Sequence, residues 1–181
     1  MSVDGMRLEQ RSAAGLHEIR PQLLDLYAEI YADRLAEDFH SVERFGERLG
    51  WNAEVPGFAV VVCHLGETPV GYAYGCTLQR GTSWWAGLRT PVPDGAIAED
   101  GRRTFALSEL MVVDKARGTG AAKAIHDHLL DGRPEPRATL LVERSHPKVR
   151  ALYEGWGYAW FGEVMPFGDS PLYDALVLAR A

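Results

Sequence analysis

Arg117-Gly-Thr-Gly120, followed by Ala121 and Ala122, could do chemistry with its backbone alone. Glycines let a ligand approach the main chain, and the free N–H groups of a first helical turn would point at it. Anionic phosphate is the natural guest. The helix dipole adds roughly +0.5 charge at that end, and Lys115 and Arg117 stand beside it. Two phosphate motifs do not fit. Lys123 lacks the preceding Gly and following Ser or Thr of a Walker A loop, and position 123 also falls where the dinucleotide fingerprint needs its third glycine.

Glu109 is the second candidate, a carboxylate inside the apolar run Phe105–Val113. Desolvation there raises proton affinity toward the range of a general base. The plainer alternative is a Glu at a strand edge facing solvent. By alternation Glu109 shares a face with Leu107, Met111 and Val113, so that face is core or cleft. His126 and His128, two apart on a predicted helix, point in different directions and make no metal pair. No Gly-x-Ser-x-Gly or His-Glu-x-x-His occurs. Cys63 and Cys76 lie in apolar strand-like stretches outside any Cys-x-x-Cys spacing and read as small core residues.

Secondary structure must position these groups. At 181 residues, 46% hydrophobic and 24% charged, the chain can bury a core without disulfides or a structural metal. No internal repeat or low-complexity run divides it, so residues 1–181 read as a single domain with its core over about 6–179. Met6 to Gln10 predicts a first strand. Pro21 suits a first helical turn ahead of Leu23, Leu26, Tyr27, Ile30 and Tyr31. Ser41 can cap a second helix with Val42, Phe45 and Leu49 on its apolar face, a charged rim, and Gly50 as its stop. Phe58–Cys63 and Val70–Leu78 flank Gly66-Glu-Thr-Pro69 as a hairpin. Residues 79–103 hold Gly81, Trp84, Trp85, Gly87, Pro91, Pro93, Gly95 and Gly101 with little period, the pattern of a functional flap. A strand through Phe105–Val113 leads into the glycine turn and a helix ending near Gly132. Strand 137–142, helix 147–154 and strands 158–162 and 172–178 follow. That order implies a mixed, mostly antiparallel sheet of about seven strands with helices on both faces, an α/β (α+β) fold.

Three segments together resemble the GNAT superfamily of acyl-CoA N-acyltransferases: Glu109-Leu-Met-Val-Val113, then Arg117-x-x-Gly120-x-Ala122 opening a helix, then Ala151-Leu-Tyr-Glu-Gly-Trp-Gly-Tyr158 after an intervening strand. The resemblance spans almost the whole chain. It implies a GNAT-like domain with splayed central strands and acetyl-CoA as co-substrate, with no metal. The backbone of Arg117, Gly118, Thr119, Gly120, Ala121 and Ala122 would hold the pyrophosphate. The main chain of Met111, Val112 and Val113 would carry the pantetheine arm between this strand and the next. Tyr153 falls at the tyrosine that protonates the coenzyme A thiolate; the plainer reading is an aromatic packed on the sheet. Seven residues earlier, where the family often has an asparagine touching the pantetheine, stands His146, which hydrogen-bonds with a different geometry. The implied reaction moves an acetyl group to a primary amine, with Glu109 as base, directly or through water, and Tyr153 as acid. A backbone N–H near Met111 would serve the oxyanion.

Acceptor choice then falls to the first two helices and the 79–103 segment. Tyr27, Tyr31, Trp84 and Trp85 offer aromatic faces, and Glu37, Asp38, Asp94, Glu99 and Asp100 offer carboxylates for a cationic amine, although solvation is the plainer fate of any one such carboxylate. A small-molecule or protein amine is the expected partner. Nineteen Lys and Arg against 25 Asp and Glu give a net charge of −6, which argues against nucleic acid or an anionic membrane surface. Apolar stretches fall far short of the ~20 residues of a membrane span. The segment MSVDGMRLEQ has no hydrophobic signal core, so the expected compartment is the cytoplasm. Relatives by this resemblance often form homodimers, but no heptad pattern marks an interface. Two other readings remain at this stage: a non-catalytic acyl-CoA sensor of the same fold, and a nucleotide or phosphate site that leaves Tyr153 unexplained.

Overall fold

The computed structural model describes residues 5–180. The first four residues of the amino-terminal segment, and Ala181, lie outside the described residues. The elements follow the predicted order: β1 (Met6–Ser12), α1 (Leu16–Ile30), α2 (Val42–Ala53), β2 (Ala59–Leu65), β3 (Thr68–Thr77), β4 (Thr104–Val112), α3 (Ala121–Leu130), β5 (Arg137–Glu143), α4 (Pro147–Gly155), β6 (Ala159–Val164) and β7 (Tyr173–Ala179). Seven strands form one open sheet in the order β1-β2-β3-β4-β5-β7-β6. The β1–β2, β2–β3, β5–β7 and β6–β7 pairs are antiparallel, and β4–β5 is parallel, with Thr104 opposite Arg137 through Leu107 opposite Leu140. The sheet is therefore mixed and mostly antiparallel, as its patterning predicts.

The chain forms two compact units that share β4. Residues up to Cys76 and Ser108–Arg133 make one; Thr77–Leu107 and the residues from Pro134 onward make the other. In the first unit β3 shows how alternation assigns faces. Tyr72 and Tyr74 turn toward α2, with ring centroids 6.0 and 6.2 Å from Phe45, whose own ring stacks on Tyr27 of α1 at 4.0 Å. Gly71, of opposite parity, faces Ile125 of α3. Helices thus cover both faces, and the rings of Tyr27, Phe45, Tyr72 and Tyr74 are almost wholly buried. Cys63 and Cys76 are buried free thiols, as read from sequence.

Two helix boundaries differ from expectation. α1 begins at Leu16, five residues before Pro21, because a 3-10 turn over Ala13–Gly15 leads into it. Pro21 therefore sits inside the helix; both it and His17, whose carbonyl would have taken the missing bond, are exposed to water. Gly50 does not stop α2, which runs to Ala53 and ends ahead of Val55-Pro56, where the residue before proline disfavours helix. Ser41 caps α2 as predicted, its hydroxyl oxygen accepting the Arg44 amide at 3.1 Å.

In the second unit the 79–103 segment is bound down rather than free. Arg89 donates its amide to Glu163 at 2.8 Å, Met165 donates to Gly87 at 3.0 Å, and Leu88 bridges Val164. Residues 87–90 thereby extend the sheet edge at β6. Trp85 packs into a core with Leu78, Ala106, Val164 and Ala175.

A Cβ at Gly71 would lie 2.6 Å from the Met111 carbonyl oxygen and 3.1 Å from Ile125 Cδ1 and Val112 Cγ2. Backbone and a packed helix leave it no room. Gly71→Ala is expected to destabilise by about 1–3 kcal/mol, read as a lower urea midpoint at unchanged slope. A wild-type midpoint would show that β3 and α3 yield freely there.

Candidate functional site

Glu109 lies on β4 with its side chain 13% exposed. α2 places one cation opposite it, Arg48, whose Nη2 stands 3.7 Å from Glu109 Oε1. That distance makes an ion pair, not a hydrogen bond. The guanidinium is held elsewhere: Arg48 Nη1 donates to the Phe39 carbonyl at 2.8 Å, Nη2 reaches the Tyr27 hydroxyl at 3.4 Å, and the group lies over the Phe39 ring, 4.4 Å from its centroid. Tyr27 Oη also stands 3.4 Å from His40 Nδ1. Beside this cluster, Asn52 joins three elements: its amide donates to the Arg48 carbonyl at 2.8 Å, and its oxygen accepts from Ser108 of β4 at 2.6 Å and from Cys76 of β3 at 3.5 Å.

The electrostatics follow from this burial. Desolvation raises the Glu109 pKa from an ordinary 4.5 to about 7, and the Arg48 charge keeps it from going higher. Burial, then the Glu109 charge, pushes Tyr27 up to about 12 and Tyr72 and Tyr74 well above the usual phenol range. These rings are neutral near neutral pH. For Arg48, burial works against the charge, but Glu109 and the surrounding tyrosines outweigh it and the pKa stays raised. Tyr72 Oη is buried with no hydrogen-bond partner among the described residues.

Beyond β4 the chain enters the glycine turn. Gly118 and Gly120 adopt φ of 74° and 92°, the left-handed region that glycine alone takes at no steric cost. A Cβ at either would meet nothing within 4 Å. Thr119 donates its hydroxyl to the Ala116 carbonyl at 2.7 Å, which closes the turn from below. Among the described residues the amides of Gly118, Thr119 and Gly120 have no acceptor, whereas Arg117 donates to Asp114 at 3.1 Å and Ala121 reaches Thr119 Oγ1 at 3.4 Å. Ala122 lies in the first turn of α3, whose amides have no intrahelical partner. Exposed Arg117 pairs with Asp114 at 2.9 Å. Val113, of the predicted pantetheine strand, is spoken for: its amide donates to Val70 at 2.9 Å and its carbonyl accepts from Ala116 at 2.9 Å. Met111 is half-buried on β4, and Val112 turns toward Gly71.

The remaining candidates fall in the second unit or at the carboxy-terminal cap of α1. Tyr153 of α4 is buried, edge-on to Trp156 at 5.1 Å and to Tyr158 at 5.6 Å. His146 is the N-cap residue of α4, its side chain 52% exposed and 3.9 Å from Glu143. Tyr31 stacks on His40 at 4.8 Å and lies 4.7 Å from Tyr27, at the Glu109 cluster. Trp84 and Trp85 do not share that unit. Trp85 donates its indole N–H to Glu99 Oε1 at 3.0 Å, and Glu99, read from sequence as one of the acceptor-facing carboxylates, is buried in an ion pair with Arg137 at 2.6 Å. Among the described residues no group of three or more His, Cys, Asp and Glu is placed to hold a metal ion.

Sequence reasoning passed over Arg48, Asn52, Tyr72 and Tyr74. A signal existed for two kinds of them. Arg48 is three residues from Phe45 on the apolar face of α2, where a cation needs a buried partner. In Gly71-Tyr-Ala-Tyr-Gly75, tyrosines alternate with small residues, so both hydroxyls point to one face.

No family profile and no curated protein matches the sequence. Solved structures do match across nearly the whole chain. An acetyltransferase from Thermus thermophilus has a TM-score of 0.58 at 17% identity, covering 99% of each chain. A GNAT-family acetyltransferase from Bacillus cereus has 0.61 at 11%, covering 97% of this chain and 98% of that one. A spermidine N-acetyltransferase chimera of SpeG from Vibrio cholerae and hSSAT has 0.60 at 13%, covering 97% and 96%. The chain has the fold of the GNAT acyl-CoA N-acyltransferases.

With its pKa raised, Glu109 holds a proton in the folded chain that the unfolded chain has released. Its contribution to stability is full below about 4.5 and is lost as pH rises through about 7. Glu109→Gln does not titrate there. Relative to wild type, the variant is expected to gain up to about 3 kcal/mol between roughly pH 4 and pH 8, measured from urea midpoints across that range. Parallel curves for the two proteins would show an unshifted carboxyl.

Proposed function

We propose that the chain is an acetyl-CoA-dependent N-acetyltransferase acting on a primary amine. The observation that carries this reading is the course of β4: a buried carboxylate poised near neutrality at Glu109, then, eight residues on, a turn whose amides at Gly118, Thr119 and Gly120 are unclaimed by the chain. Those amides, with Ala121 and Ala122 at the start of α3, fit a pyrophosphate group, which needs donors and open space rather than a side-chain cage. Met111 and Val112 supply main chain to the pantetheine arm, together with His146; Val113 contributes packing, since its own amide and carbonyl are engaged.

The chemistry follows from what amide formation needs. A neutral amine nitrogen attacks the thioester carbonyl carbon, a C–N bond forms and the C–S bond breaks. Glu109, charged for about half the time near pH 7, accepts the proton the amine gives up, directly or through a water. Tyr153 gives a proton to the departing thiolate. Tyr31, half-buried at the Glu109 cluster, is an aromatic face for the amine-bearing acceptor; Tyr27, read from sequence as another, is buried and stacked on Phe45 and backs it instead. The spermidine enzyme among the structural neighbours makes a polyamine the first acceptor to try.

The test is release of free thiol from acetyl-CoA with a panel of amines. Wild type is expected to turn over at least one amine, with a rate that climbs as pH passes about 7 and Glu109 loses its proton. Glu109→Gln should lower kcat by roughly 10²–10⁴-fold, abolish that climb and leave acetyl-CoA affinity unchanged. Gly120→Val, strained at φ 92°, should weaken acetyl-CoA instead. Acetyl-CoA binding with no thiol release for any amine would turn the reading into that of a sensor.

A further inference from the structure

Two buried carboxylate–arginine pairs, Glu99–Arg137 and Glu109–Arg48, are built differently. Glu99 gives one oxygen, Oε1, to Arg137 at 2.6 Å, to the Trp85 indole at 3.0 Å and to the Thr104 hydroxyl at 3.1 Å. Oε1 of that carboxylate is consumed by three donors, as a structural ion pair requires, while Oε2 is buried with no hydrogen-bond partner among the described residues. Neither oxygen of Glu109 is engaged in that way. Its cation stands back at 3.7 Å because the guanidinium is fastened to the Phe39 carbonyl, the Tyr27 hydroxyl and the Phe39 ring. The groups facing Glu109 are otherwise uncharged phenols: Tyr27 from α1, and Tyr72 and Tyr74 from β3, with His40 behind the Tyr27 hydroxyl. Arg48 is therefore the one positive charge on it from any packed element among the described residues.

A cation at hydrogen-bonding distance would cover the carboxylate oxygens and weaken them as proton acceptors. A buried carboxyl with no cation at all would stay protonated at neutral pH. The observed spacing lies between these. We propose that Arg48 is the positioning residue of Glu109: held off by its anchors at Phe39 and Tyr27, it keeps the carboxylate charged while leaving its oxygens open to a proton. This rests on Glu109 acting as the base, and it adds that the 3-10 turn over Asp38–His40 takes part in setting that base through the Phe39 carbonyl.

The test reads the carboxyl itself and needs no acceptor. Glutamate ¹³C-carboxyl resonances are followed by NMR across pH, with the Glu109 signal assigned by its loss in Glu109→Gln. In wild type the midpoint is expected at about 7. In Arg48→Met it should move upward by a unit or more, about tenfold or greater in proton affinity. Arg48→Lys, which retains the charge, should stay near wild type, and Arg48→Gln, which retains a donor without charge, should move with Met. If the Met variant does not fold, the Gln and Lys variants decide the matter. An unmoved midpoint in the uncharged variants, or equal movement in Gln and Lys, overturns the proposal. Where an amine is turned over, the rising limb of kcat against pH should shift with the midpoint while KM for acetyl-CoA does not; a uniform loss at every pH would mark Arg48 as structural only. Failure to transfer acetyl groups would leave the titration readable, so the two readings fall separately.

Discussion

A carboxylate taken out of water is the constraint around which the first unit is organised. Glu109 sits on a strand whose neighbours are rings and aliphatic chains, and an isolated charge there would be expensive. The surrounding structure offsets that cost with one cation at a distance, Arg48, and no other among the described residues. Arg48 in turn needs its donors occupied, which the Phe39 carbonyl and the Tyr27 hydroxyl provide. Asn52 then ties the same helix to β4 through Ser108 and to β3 through Cys76. The polar groups of this region form a short relay among α1, α2, β3 and β4 inside an otherwise apolar core.

The glycine turn solves the opposite problem. At Glu109 the chain has buried a charge and surrounded it; at 118–120 it leaves donors uncovered at the surface. Two left-handed residues leave successive amides without an acceptor in the described chain, and the Thr119 hydroxyl, by donating to Ala116, fixes the loop without using those amides. Both features lie on one continuous stretch from β4 to α3, which is why a reading of acyl transfer draws on that stretch more than on any other part of the chain.

Much of this was legible in the sequence because it rests on local rules. The Ser41 cap, the hairpin at Gly66, the nearly continuous apolar run of β4 and the double-glycine junction each follow from residue type and spacing, and the element order assembled from them is the observed one. The departures have tertiary causes. Pro21 is tolerated within α1 because that turn faces water, and Gly50 stays helical because Asn52 beyond it is bonded to the Arg48 carbonyl, Ser108 and Cys76 before Pro56 intervenes. The 79–103 segment reads as a functional flap because its period is irregular, and its residues 87–90 are pinned by main-chain bonds at β6, which no local pattern encodes. Arg48 disappeared among the charged rim of α2 because identifying it required knowing that Glu109 stood across from it.

Gly71 has a bearing beyond its own strand. Because it lacks a side chain, Ile125 seats directly on β3, and Ile125 lies one helical turn from the residues at which α3 begins. The elevation of the whole helix, and with it the alignment of the three unclaimed amides, is thus gauged by a vacancy in the sheet beneath. Sequence drift at that buried position would shift those amides from below, through a residue that never comes near them.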